Sequence, residues 1–187
     1  GRREFARVLA QLWRHSLVAS IVSEFLVEAE GLSGPECAGA RVAGLLHDIG
    51  KAVLCQFFPE IHAEIVRVMT KNNLSAYEAE YEVMGGMSHS DVGGWLADRW
   101  KLPLPIVDAI RLHHTPEQSS PETPLVRLTY LADVLCYRLG VPAIVLENQS
   151  LPERAEESAI NSELIAKIGQ RLEKQRDLIA AIATQAV

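Results

Sequence analysis

Several things are scarce in this chain, and each scarcity closes off a class of protein. Cysteine is one: Cys37, Cys55 and Cys136 are odd in number and widely scattered among 187 residues. They make neither a CxxC metal motif nor a disulfide framework, so the expected localisation is a reducing cytoplasm. Aromatic residues are also few, at 6% against 48% hydrophobic residues in all, which suits an aliphatic helical core better than a β-sandwich. Basic charge is in deficit: 18 Lys and Arg against 24 Asp and Glu leave a formal charge of −6. Duplex nucleic acid, whose phosphates need a broad basic surface, is therefore not an expected partner. No apolar run approaches the roughly 20 residues that span a bilayer, and Arg2-Arg3-Glu4 leads into an amphipathic helix rather than a signal peptide. No membrane association is expected. That start, in mid-helix, reads as a fragment of a longer protein. Period-two alternation, internal repeats and low-complexity tracts are all lacking, which removes the signals of a β or repeat fold.

What is there is helix after helix. Phe5, Val8, Leu9, Leu12, Ser16, Leu17, Ile21 and Phe25 recur at helical spacing and predict a long first helix fading near Gly31. Ser33-Gly34-Pro35-Glu36 has the capping-box pattern and opens a helix with Val42, Leu45, Leu46 and Ile49 on one stripe. Pro59 can start another, with Ile61, Ile65, Val68 and Met69 inward, and Ser75 with Glu78 forms a second capping box. Ser88 is placed to cap a helix whose face carries Val92, Trp95, Leu96 and Trp100; Pro105 begins the next, Ile106 to His114. Thr123-Pro124 starts a helix closed by Gly140. Residues 141–161 look irregular, with Arg154 to Glu157 a solvated face, and one charged helix follows from about Ser162. Its Leu164, Ile165, Ile168, Leu172 and Ile179 are expected to pack back on the domain, the alternative being a homodimer. Trp13, Trp95 and Trp100 sit at core spacing, and His62, between two glutamates, reads as a solvated or edge residue. The fold class is all-α, one compact multi-helix bundle over residues 1–187.

Against that apolar background stand polar residues where a helix should bury Leu and Ile. His47 and Asp48 interrupt "GLLHDIGK"; His15, His89, His113, His114 and Asp133 interrupt other apolar stretches. Burying a carboxylate costs several kcal/mol unless it is paired, hydrogen-bonded or bound to a metal. Taken singly, each has an ordinary explanation as a satisfied core residue. Together they come from five segments packed around one core, and imidazole with carboxylate forms a mixed N/O donor set. That set suits one or two divalent ions of Fe, Mn, Ni, Co or Zn. Asp48 could bridge two cations at the separation of about 3.5–4 Å found in two-metal hydrolytic sites. Lys51, three residues on, projects to the same side and could meet a phosphoryl oxygen, or be a solvated lysine near a helix end.

The same residues resemble the HD superfamily of metal-dependent phosphohydrolases, whose signature H…HD…D is matched by His15, His47-Asp48 and Asp133. The texture is most similar to its HDOD branch, a bacterial signalling domain related to the HD-GYP cyclic-di-GMP phosphodiesterases. "LWRHSLVAS" (12–20), "VAGLLHDIGKAVL" (42–54), "SHSDVGGWLADRWKLPLPIVDAIRLHH" (88–114) and "LTYLADVL" (128–135) carry the likeness over about residues 5–140. It implies metal ligands at His15, His47, Asp48, His89, His113, His114 and Asp133. It also implies catalytic roles for Asp48, as bridge, and Lys51, facing phosphate. Where some HD-GYP proteins add a glutamate one turn before the first histidine, this chain has Gln11. After His114 it carries "TPEQSSPETP" in place of the Gly-Tyr-Pro loop that shapes the cyclic-dinucleotide pocket. HDOD domains also usually begin with several more helices. The expected function is a signal-transduction module retaining a metal site, with an upstream sensor or receiver domain and signalling proteins as partners. The alternative is an active phosphodiesterase on a nucleotide or cyclic dinucleotide.

Overall fold

Proline and short polar residues set most of the helix starts. A computed structural model describes residues 2–33, 35–120, 123–143 and 162–185, and among them every regular element is helical. The elements are α1 (Arg2–Ala29), α2 (Pro35–Leu46), α3 (Ile49–Phe57), α4 (Pro59–Asn72), α5 (Ala76–Val83), α6 (His89–Arg99) and α7 (Leu104–Leu112). A 3₁₀ turn (Pro116–Gln118), α8 (Pro124–Arg138), α9 (Ser162–Lys174) and α10 (Arg176–Gln185) complete them. Pro59 and Pro124 stand in the first turns of α4 and α8, where the missing N–H costs nothing. Ser75 and Glu78 close the expected capping box on α5, and the Asp91 carboxylate accepts from the Ser88 amide at the start of α6. Asn73 ends α4 in the left-handed conformation.

α1 is the axis of the bundle. Val18, Ala19, Ile21, Val22, Leu26 and Val27 are all buried, so its middle is covered nearly all round by α2, α8, α9 and α10. α2 can cross it closely because position 44 is glycine: a Cβ there would lie 2.7 Å from the Ala19 carbonyl oxygen. Fully buried Ile110, Leu128 and Leu135 fill the space between α7, α8 and α1. A smaller separate cluster, Leu54, Ile65, Val68, Met69 and Ala79, ties α3, α4 and α5 together.

Four expectations need correction. The helix opening at Pro35 does not run through His47-Asp48; it stops at Leu46, and α3 starts afresh at Ile49. α7 ends at Leu112, leaving His113 and His114 in the turn that follows. The C-terminal helix is two, broken at Gln175, though Ile168 and Ile179 do pack back into the main core. Trp13, Trp95 and Trp100 are exposed rather than core residues, as is Ile61. α6 instead buries Ser90, Gly93, Gly94 and Ala97, because backbone-to-backbone approach admits only small side chains on that face. His62 lies half-buried, as an edge residue should. The capping box at Glu36, the irregular stretch 144–161 and the Arg154–Glu157 face lie outside the described residues and side chains.

Candidate metal centre

Adjacent residues of a continuous helix point about 100° apart, so His47 and Asp48 could not both aim at one spot from its middle. The break between α2 and α3 removes that restriction. Asp48 occupies the N-cap position of α3 without capping it, leaving both carboxylate oxygens free for the interior. Glycine at position 50 lets α3 lie directly on the first turn of α6, which delivers His89. His15 comes from mid-α1, His113 and His114 from the end of α7, and Asp133 from mid-α8. All seven expected residues meet, and six of them are buried, His114 being half-buried.

They form two lobes joined by Asp48. His15, His47 and Asp48 offer donor atoms within 4.8 Å of one another, and so do Asp48, His89, His113 and His114. In the first lobe the two Nε2 atoms stand 3.1 Å apart, with Asp48 Oδ2 3.6 Å from each. Asp133 Oδ1 adds a further oxygen, 3.2 Å from His15 Nε2 and 3.8 Å from His47 Nε2. In the second, Asp48 Oδ1 lies 3.1 Å from His89 Nε2 and 3.7 Å from His113 Nε2. His89 Nε2 is 3.3 Å from His113 Nε2 and 3.2 Å from His114 Nε2. One carboxylate thus turns one oxygen to each lobe.

Tautomers follow from the outer contacts. His15 Nδ1 donates to the Val141 carbonyl, His47 Nδ1 to that of Gly44 and His113 Nδ1 to that of Ile110, at 2.8, 2.9 and 2.8 Å. A carbonyl only accepts, so these Nδ1 atoms hold protons, and in the neutral rings the inward Nε2 atoms present lone pairs. Lone pairs facing one another repel, and Asp48 Oδ1 and Asp133 Oδ1 are buried without a hydrogen-bond donor. Only a cation, a proton or a metal ion, relieves both. Burial and their imidazole neighbours hold His113 and His114 well below the ordinary histidine range, so both are neutral donors. Burial opposes ionisation of Asp48 and Asp133, but Lys51 with His47 and His89 at Asp48, and His15 with His47 at Asp133, outweigh it and keep both pKa values well below the usual carboxylate range. Burial likewise pushes the Cys136 thiol far up, which leaves it protonated and outside the donor set. Three carboxylates, counting Glu80, and one ammonium leave this polar interior negative, so the residues present fit a divalent ion.

Lys51 Nζ donates to Asp48 Oδ2 at 2.8 Å, so the lysine is a buried partner of the bridge and not a solvated helix-end residue. Sequence reasoning missed Glu80, whose carboxylate accepts from both the backbone amide and Nδ1 of His89. It also missed Tyr77, its ring 4.8 Å from that of His114, and Tyr137, 6.4 Å from His15 with its phenol pushed by burial up to about 12. Glu80 sits among Glu78 and Glu82 on an acidic helix, and nothing in their spacing separates it from a solvated residue.

The solved structure of an HDOD domain protein from Geobacter sulfurreducens matches 95% of this chain and 63% of its own at 24% identity, with a TM-score of 0.70. A protein of Marinobacter aquaeolei VT8, provisionally named a signal transduction protein, matches 94% of the chain and 39% of its own at 23% identity, TM-score 0.74. Both show the same fold. Ribonuclease Y of Thermus thermophilus is 32% identical over 136 residues, 72% of this chain and 18% of that protein. The chain spans about a fifth of the length of the curated relatives it matches. The HDOD domain family model matches residues 3–116, from α1 with His15 to the His113-His114 turn. Well over half the chain lies inside that match, and the chain belongs to the HDOD domain family, related to the HD phosphohydrolases.

Proposed function

We propose that this chain is a regulatory HDOD domain of bacterial cytoplasmic signal transduction that retains a divalent metal site of HD type. The convergence of imidazole Nε2 atoms on both oxygens of Asp48 carries the reading. One ion would be held by His15, His47, Asp133 and Asp48 Oδ2, the other by Asp48 Oδ1, His89, His113 and His114. A regulatory role is supported by the small size of one opening that reaches Asp48 among the described residues. It is lined by Leu9, Leu12, Trp13, Leu46 and Ile49 and has a volume of about 60 Å³. Small-molecule sites usually need about 300 Å³ or more. The partners are then an upstream sensor or receiver domain and downstream signalling proteins, with self-association into a homodimer as a further mode.

The second reading is a phosphohydrolase, and the full two-lobe donor set with Lys51 favours it. Divalent ions in such a site supply Lewis acidity and lower the pKa of water toward neutrality. The chain's part would be orientation and charge. Asp48 fixes the separation of the lobes, and Lys51 turns from Asp48 Oδ2 to a phosphoryl oxygen. Its substrate would be a nucleotide, a cyclic dinucleotide, or an RNA phosphodiester of the kind Ribonuclease Y's name implies.

Metal analysis after reconstitution with Mn²⁺, Fe²⁺ or Ni²⁺ tests the first step. At least one ion per chain is expected, lost in His47→Ala and Asp48→Ala, and metal content near zero would sink both readings. Phosphate-ester cleavage is then assayed on bis-p-nitrophenyl phosphate, cyclic-di-GMP and a single-stranded RNA. Metal without turnover leaves the regulatory domain standing; turnover abolished by Lys51→Ala replaces it with the enzyme.

A further inference from the structure

The two lobes are alike in geometry but unequal in charge. The first has a carboxylate of its own, Asp133, beside its share of Asp48. The second has three imidazoles and only its share of Asp48. Behind it stands Glu80, 2% exposed, on an element that carries none of the seven expected ligands. Its Oε2 accepts from the His89 backbone N–H at 2.8 Å and also from the His89 ring Nδ1. His15, His47 and His113 rest their Nδ1 atoms on backbone carbonyls, which are dipoles. Behind His89 stands a full negative charge. A carboxylate there fixes the ring's tautomer and orientation and raises the basicity of Nε2 toward a cation.

The position of Glu80 is set by packing. Its neighbour Ala79 is fully buried in the small core with Leu54 and Met69, and the Ser75–Glu78 capping box locks the first turn of α5. Burying a carboxylate so far from water is costly unless it is paired, and His89 supplies both the amide and the ring N–H that its Oε2 accepts. The geometry points to Glu80 as the positioning residue of the His89–His113–His114 lobe, supplying at one imidazole's remove the charge that Asp133 supplies directly to the other lobe. This inference rests on the metal-site reading above.

Isothermal titration of the metal-free full chain with Mn²⁺, for wild type, Glu80→Gln, Glu80→Asp and Asp133→Asn, tests it. Wild type is expected to show two binding events. In Glu80→Gln one event weakens by about 10–100-fold, the range for loss of an outer-shell partner, while the other holds. Asp133→Asn weakens the other event, and Glu80→Asp, which keeps the charge, recovers part of the loss. If Glu80→Gln binds two ions with wild-type affinity, the assignment to Glu80 falls and the metal site stands. Equal weakening of both events alongside lost helicity marks a merely structural role and also overturns it. Wild type that binds no Mn²⁺ overturns the metal-site reading and this inference with it. Should Glu80→Gln fail to fold, ¹⁵N NMR of zinc-loaded wild type decides: a strongly hydrogen-bonded His89 Nδ1–H is expected, and a freely exchanging one refutes the assignment.

Discussion

Replacing Gly50 with alanine adds one carbon at the place where α3 lies on α6, and its consequences can be worked from distances. The new Cβ would stand 1.9 Å from the His89 carbonyl oxygen, 2.7 Å from the His89 carbonyl carbon and 3.0 Å from the Gly93 nitrogen. All three are backbone atoms, so no rotamer change relieves the contact. Ordinary contact begins at 3.4 Å, so the helices must part by about 1.5 Å, the difference between 3.4 and 1.9 Å. Alanine favours the helix by up to about 1 kcal/mol over glycine. Overpacking of a tight contact costs about 1–3 kcal/mol, and a backbone clash belongs at the upper end. The net is a loss of about 2 kcal/mol, or roughly 4–8 °C in Tm for a chain of this size. Because the residue displaced is His89, a shift of this size exceeds the tolerance of about 0.5 Å for a ligand constellation. The second Mn²⁺ event should go with it. Gly169→Ala is the internal control: it lies in α9, and a Cβ added there would meet nothing within 4 Å, so it should raise stability by about 0.5–1 kcal/mol. Thermal and urea denaturation with Mn²⁺ titration measure both. Gly50→Ala matching Gly169→Ala in stability and metal binding would refute the claim that close helix contact positions His89.

Four further outcomes are expected. Ser75→Ala should cost about 1 kcal/mol by removing the α5 cap and Ser75→Gly only a few tenths, read by denaturation; no loss in Ser75→Ala would show that the hydroxyl is not what matters. Arg171 donates to Glu24 and Glu28 and lies over Phe25, tying α9 to α1. Arg171→Ala should cost about 0.5–1 kcal/mol at low salt and less at high salt, and a salt-independent loss would point to packing instead. Leu128→Ala, at a fully buried position in α8, should cost about 2–5 kcal/mol; a loss under about 1 kcal/mol would mean the core collapses around it. Burial disfavours charge on His47 and His89, yet Asp48 with Asp133 beside one and Glu80 with Asp48 beside the other together outweigh it and raise both above 6.5. An incoming metal ion must displace those protons, so Mn²⁺ affinity should already be falling between about pH 8 and 6. An affinity flat across that range would exclude those imidazoles as ligands.

The helices were legible because their signals are local. Pro59, Pro124 and the Ser75–Glu78 pair act within one turn, and their consequences do not depend on what packs nearby. The fragility of the same reasoning shows at α6. Apolar periodicity there selects Val92, Trp95 and Leu96, whereas the buried face is Ser90, Gly93, Gly94 and Ala97. Side-chain size limits how close two helices come, and hydropathy alone does not record that limit.

The candidate site divides in the same way. The sequence by itself determined which residues are anomalous: a histidine or aspartate in an apolar helix must be satisfied somewhere, and seven such residues in family order name the place. Tertiary structure decided what they do together. It broke the helix between Leu46 and Ile49 so that His47 and Asp48 face one point, turned Nε2 atoms inward by resting Nδ1–H groups on backbone carbonyls, and set Glu80 behind His89. Those are through-space relations among segments far apart in the chain, and a carboxylate on an acidic helix becomes a buried partner only when another helix covers it.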